Sequence, residues 1–221
     1  MALKHRAFTF NINEFYNDLQ NVIVESKLSK ERLWELSKEA VGKPSVATIQ
    51  ALNFLRYDQE WFDLSDPDIS RESDWYLVFL TSKFKMAPDL SSSQPFSYSI
   101  LRRVLKLVGW SSDHIDLLIK GSDLETLVKV TNDPIFISSF TFPQYRGGWV
   151  NQEDISMLYS KLTLSQEVFF EPSKQLIESV EDLAGYFSLG PDEVIRKSYV
   201  EAVCMLSYAL QRKNPLFFIL D

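Results

Sequence analysis

The chain reads as an α+β domain dominated by helix, with about eight to ten helices packed around a small sheet. Three observations predict this. Apolar residues recur at helical spacing along most of the 221 residues, and glycine, at 7, is too scarce for a fold punctuated by strand turns. In the centre, over 134–151, the apolar period drops to two: Phe136, Phe140 and Phe142 fall on one parity, and the only Gly-Gly pair follows. The sheet is therefore expected from the 135–150 segment and the chain termini.

The first half is read as one strand, then helices. Residues 7–12 alternate as a short strand, and Asn11 with Glu14 forms a capping box that opens a helix to about Lys27. Ser29 caps a second helix, carrying Leu33, Trp34 and Leu36, which Gly42 and Pro44 end. Ser45 starts a third, with Ile49, Leu52 and Leu55, which runs on to Trp61 and Phe62. Short connections make these three antiparallel neighbours. Residues 75–80 form a dense apolar run that fits buried helix or strand, with Glu72 and Asp74 in a first turn favouring helix. The loop at 86–96, with Pro88, three serines and Pro95, is the one candidate boundary in what is otherwise a single domain.

The second half follows the same logic. Residues 98–108 form a helix with Ile100, Leu101, Val104, Leu105 and Val108 inward, stopped by Gly109. Short capped helices are expected after Ser112 and Ser122. Asn151 with Asp154 caps a helix whose inner face is Ile155, Leu158, Tyr159 and Leu162. Ser173 begins another, to about Phe187, and Gly190-Pro191 precedes a long helix to about Arg212. That helix carries Ile195, Tyr199, Ala202, Val203, Leu206 and Leu210 as its buried stripe, with Cys204 read as part of the core. Pro215 ends it. Residues 216–220 then form a short buried strand, partnered by 135–142 or by the N-terminal strand.

Composition narrows the function. A net charge of −7, from 30 acidic against 23 basic residues, repels phosphate backbones and anionic lipid, so no nucleic acid and no membrane is expected as partner. A basic protein partner is favoured instead. The single cysteine, Cys204, excludes a disulfide framework and a multi-cysteine metal site. Neither a leader nor a spanning segment is evident, so the chain reads as cytoplasmic. The oligomeric state stays open.

Chemistry needs a constellation, and the candidates are thin. The residues Asp113, His114 and Asp116 after Ser111 and Ser112 hold triad residue types, but a capping serine and a surface histidine explain them. The segment 58–74 carries Asp58, Glu60, Asp63, Asp66, Asp68, Glu72 and Asp74 against Arg71 alone. No register of it fits a calcium loop, because the sixth and twelfth positions are wrong. Arg102, Arg103 and Lys106 lack interleaved aromatics and read as a solvated helix face. Tyr145, Arg146, Gly147, Gly148 and Trp149 are the best ligand candidate. Glycines admit a close backbone approach, Arg146 offers a fork of donors, and the helix after Asn151 aims its positive end at them. A strand-to-strand turn accounts for the same glycines. No cofactor, metal or catalytic residue is assigned.

The leading expectation is thus a non-catalytic interaction protein, an adaptor, regulator or immunity-type inhibitor. It meets its partner through an acidic and aromatic surface, with Asp63, Asp66, Asp68 and Trp61 as contact candidates. The alternative is an enzyme or small-ligand binder with an anion-accepting pocket at 145–149.

Overall fold

The last strand of the chain lies in the middle of the sheet. In the computed structural model, which describes residues 5–14, 17, 84–86, 98–123, 126, 147–185 and 188–220, strands β1 (His5–Phe10), β2 (Phe84–Met86), β3 (Ser122–Asp123), β4 (Gly147–Val150) and β5 (Leu216–Leu220) are ordered β2-β1-β5-β4-β3. Every pairing is antiparallel. The helices are α1 (Tyr98–Leu107), α2 (Ser112–Lys120), α3 (Gln152–Leu164), α4 (Gln166–Phe170), α5 (Lys174–Ala184) and α6 (Pro191–Arg212). A first helical turn also follows Asn11. That makes seven helices among the described residues, against the eight to ten expected of the whole chain. The mainly helical α+β reading holds.

Register explains the central strand's composition. Ala7 and Thr9 lie opposite Phe218 and Leu216, while Phe8 lies opposite Phe217. Alternate residues point to opposite faces of a sheet, yet Ala7, Phe8, Thr9, Phe10, Leu216, Phe217 and Phe218 are all buried. Both faces are covered there, so β5 reads as an unbroken apolar run, Leu-Phe-Phe-Ile-Leu. Ala7, Phe218, Leu216 and Val150 belong to the core that the helices share. Burying each large apolar side chain of this strand stabilises the fold by about 1.5–3 kcal/mol.

Helix α6 makes the largest contribution to that core. Its inner face is Val194, Ile195, Ser198, Tyr199, Ala202, Met205, Leu206 and Ala209. The expected stripe was displaced by part of a turn: Val203 and Leu210 are only partly buried, and Met205 and Ala209 take their places. Cys204 is exposed, which corrects the core assignment. It stands two residues past Ala202, about 200° round the helix, so apolar sequence neighbours did not place it inward. Lys213, in the left-handed conformation, closes the helix, and its N–H donates to Ala209 O and Leu210 O. Gln152 Nε2 donates to Ala209 O at 3.3 Å and also to Asn214 O. The start of α3 thereby ties down the corner that delivers β5 to the sheet.

Local signals place most of the remaining ends. Asn11 Oδ1 accepts from the N–H groups of Asn13 and Glu14 at 3.1 Å, and Asn151 Oδ1 from Asp154 N at 2.8 Å. Ser173 caps α5. In α1 the buried residues are Ile100, Leu101, Val104 and Leu105, as the spacing predicts. Val108, expected inward as well, lies past the helix end and is only partly buried, and Gly109, at φ 84, follows it. Two assignments shift. Ser111, not Ser112, caps α2, and Ser122 is in β3 instead of capping a helix. Strand β2 was not anticipated; three residues are too short for a period to show. The expected strand at 135–142, the helices over 14–62, the run at 75–80 and the loop from 87 to 96 lie outside the described residues, save for the first turn after Asn11.

Candidate functional site

Three places on the described surface gather polar or titratable side chains. The first holds the glycine pair. Gly147 and Gly148 are not a turn but the body of β4, paired to Ile219 and Phe218 on one side, with Gly148 opposite Asp123 on the other. The need for glycine is steric. A Cβ on Gly148 would lie 1.9 Å from Lys120 O, and one on Gly121, itself at φ 73, would lie 2.6 Å from Trp149 N. The corner between α2 and β3 is pressed flat against β4. Trp149 is half-buried, and its Nε1 donates to Thr126 Oγ1 at 2.7 Å. Tyr145 and Arg146 lie outside the described residues. So do Trp61, Asp63, Asp66 and Asp68.

The second place is the end of α2. Ser111 Oγ accepts from His114 N, the capping role expected of a serine here. His114 is half-buried rather than on the surface, with its Nδ1 2.8 Å from Lys161 Nζ. An ammonium can only donate, so in this contact Nδ1 stands as the acceptor. Lys161 Nζ also stands 4.6 Å from the centre of the buried Trp110 ring, whose Nε1 donates to Ser165 Oγ at 3.2 Å. Asp116 turns away to Arg102 at 2.5 Å and Lys120 at 3.3 Å. Serine, histidine and aspartate are therefore not brought into a triad. Partial burial raises the Asp116 carboxyl, but the charge and hydrogen bond of Arg102, helped by Lys120, outweigh it and hold the group below its ordinary value.

The third place is a surface cleft of about 370 Å³ between the end of α1, α4 and the start of α5. Leu107, Val108, Val168 and Leu176 supply its apolar lining, and Glu167 and Glu171 its charge. Leu176 is buried, whereas Leu107 is 47% exposed although it closes a helix whose other large apolar residues turn inward. Glu167 lies on α4, and Glu171 is the residue that ends it, with its N–H donating to Glu167 O. Neither makes an ion pair among the described residues. Lys174 Nζ is held by Glu178 at 3.6 Å, and Arg196 stands over the Phe170 ring at 5.7 Å. Between α1 and α5, Arg103 grips Asp182 through both guanidinium nitrogens, at 2.6 and 3.1 Å, and donates to Ser179 O. That hydrogen bond holds the Asp182 carboxyl below its ordinary value.

Sequence reasoning missed this cleft, and one signal was present. Glu167 and Glu171 have each other at four residues' distance but no lysine or arginine at that spacing. Nothing local shows that Leu107 and Leu176, 69 positions apart, share a wall. No group of three or more metal-ligating side chains gathers among the described residues, and no helix there is long and apolar enough to cross a membrane. Compared with protein-family models, curated proteins and solved structures, the chain matches none of them.

Proposed function

We propose that the chain is a non-catalytic interaction protein, an adaptor, regulator or immunity-type inhibitor, that meets a basic protein partner through acidic surface. The observation that carries this reading is the charge on α4, α5 and their junction. Residues 165–185 hold Glu167, Glu171, Glu178, Glu181 and Asp182 against Lys174 alone. Arg103 neutralises Asp182 and Lys174 meets Glu178, which leaves Glu167, Glu171 and Glu181 without an ion pair among the described residues. Unpaired like charges gain the fold little, but they steer an oppositely charged partner. The segment 58–74, with Asp63, Asp66 and Asp68, extends the same logic in sequence.

The alternative, an enzyme or small-ligand binder at 145–149, now rests on Tyr145 and Arg146. Gly148 has strands on both sides of its backbone and Gly147 has β5 on one, so the pair is a poor candidate for an anion cradle.

Affinity capture from native lysate at about 50 and about 300 mM salt, on either side of strong screening, tests the reading. Three baits are compared with wild type: Glu167, Glu171 and Glu181 changed together to Gln, Asp63, Asp66 and Asp68 changed together to Asn, and Arg146→Ala. A basic protein retained only at low salt, and lost with one of the two acidic sets, supports the proposal. Capture indifferent to salt and to both sets, but abolished by Arg146→Ala, transfers the function to the anion-accepting site.

A further inference from the structure

We infer that the cleft between α1, α4 and α5 is the docking site for a basic amphipathic segment of the partner protein, one that presents an aliphatic side chain between lysines or arginines. This rests on the proposed function and adds to it the place and the mode of contact. The lining is two-part. Leu107, Val108, Val168 and Leu176 form an apolar trough, and Glu167 and Glu171 bring two carboxylates to it. About 370 Å³ lies at the small end of ligand-binding cavities, fit for a side chain or two and too small for a whole folded element.

Charge complementarity selects the occupant. Both glutamates are exposed; Arg196 and Arg103 are turned to Phe170 and to Asp182, and Lys174 meets Glu178 at the open surface. Lys106, beside Leu107, is exposed without lining the cleft, so the charge in the lining itself is that of the two acids. A second copy of this chain, itself carrying −7, would set acid against acid. Nucleic acid and anionic membrane are repelled for the same reason. A helix of a basic protein satisfies both parts at once, because residues three and four apart on it share a face. One turn can seat a leucine against Leu107 and Val168 while flanking ammonium groups reach Glu167 and Glu171. The ion pairs, being at the surface, steer and orient; the inserted apolar side chain holds.

The test uses full-length protein and three synthetic helical peptides of equal length. One carries lysines and leucines at helical spacing, a second has its leucines replaced by serine, and a third has its lysines replaced by glutamate. Binding is read by fluorescence anisotropy, and contact by carbodiimide coupling of peptide amines to protein carboxylates, mapped by mass spectrometry. The inference expects the lysine–leucine peptide to bind tightest and to couple to Glu167 and Glu171. E167Q/E171Q should weaken it about ten-fold at low salt, and Leu107→Ser, an exposed change the fold tolerates, several-fold. Equal binding of the leucine and serine peptides, still lost in E167Q/E171Q, overturns the docking mode and leaves the acidic-face reading standing. Coupling confined to other carboxylates, with E167Q/E171Q binding as wild type, overturns the cleft as the place. Failure of both cationic peptides to bind at low salt overturns the inference and the proposed function together.

Discussion

The seam where β4 meets β5 and the face formed by α4 and α5 are built to opposite rules. At the seam every neighbour constrains the next. Val150, Leu216, Phe217 and Phe218 are fully buried, and Gly148 admits no Cβ. On α4, α5 and their junction Glu167, Glu171 and Glu181 are exposed and make no ion pair among the described residues, and Leu107, which lines the cleft with the first two, stands half in solvent. A change in the first region meets packed neighbours on every side. The other carries exposed carboxylates that no ion pair among the described residues ties to the fold. That contrast is why function is assigned to the face and structure to the seam.

The contrast is broken most severely at β5. Deleting 216–221 removes the strand that lies between β1 and β4, splitting the sheet and exposing the buried side of α2. Loss of the cooperative thermal transition, with aggregation on expression, is the expected outcome. A truncated chain that melts as wild type does would show that the seam is not the organising element.

Next in size is the glycine at the seam. Gly148→Ala forces a methyl group into Lys120 O, and overpacking of this kind costs about 1–3 kcal/mol or more. Gly109→Ala is the control, since a Cβ there meets nothing within 4 Å and only the positive φ is strained. It should cost about 1–2 kcal/mol. Denaturant unfolding of the two variants separates close approach from backbone conformation. Equal losses would mean that the corner between α2 and β3 can move aside.

Smaller again are the ion pairs that fasten α1 to its neighbours. The Asp116 carboxyl is held below its ordinary value in the folded protein, so its stabilising contribution is present above its unfolded pKa, about 3.9, and is lost as pH falls through the lower folded value. Stability of wild type should therefore fall more steeply than that of Asp116→Asn once pH drops below about 4. With both side chains more than a third exposed, the difference is at most about 1 kcal/mol. Parallel pH profiles for the two proteins would place the Arg102 contact among ion pairs that contribute nothing measurable.

Legibility in the sequence followed the same divide. Caps and helical stripes are local, so Asn11, Asn151, Ser173 and the inner face of α1 were placed from residues a turn apart. The apolar end of the chain was legible as a strand because five consecutive large side chains cannot remain in water. Long-range arrangements were not legible. The glycine pair was read as a turn because a strand glycine and a turn glycine look alike until the packed corner at Lys120 is known. His114 gained its partner from Lys161, 47 residues on, and the cleft joins residues from three helices. The exposure of Cys204 shows how little a run of apolar neighbours says about the face a helical residue occupies.

The central claim is that the carboxylates beside the cleft serve association and not the fold. It is tested most directly by measuring E167Q/E171Q twice, once for thermal stability and once for binding of the lysine–leucine peptide at low salt. The expected result is stability within about 0.5 kcal/mol of wild type, as for surface changes away from packed features, together with the ten-fold loss of binding. A variant that melts several degrees lower while binding the peptide as wild type does would contradict it, because the two glutamates would then be structural.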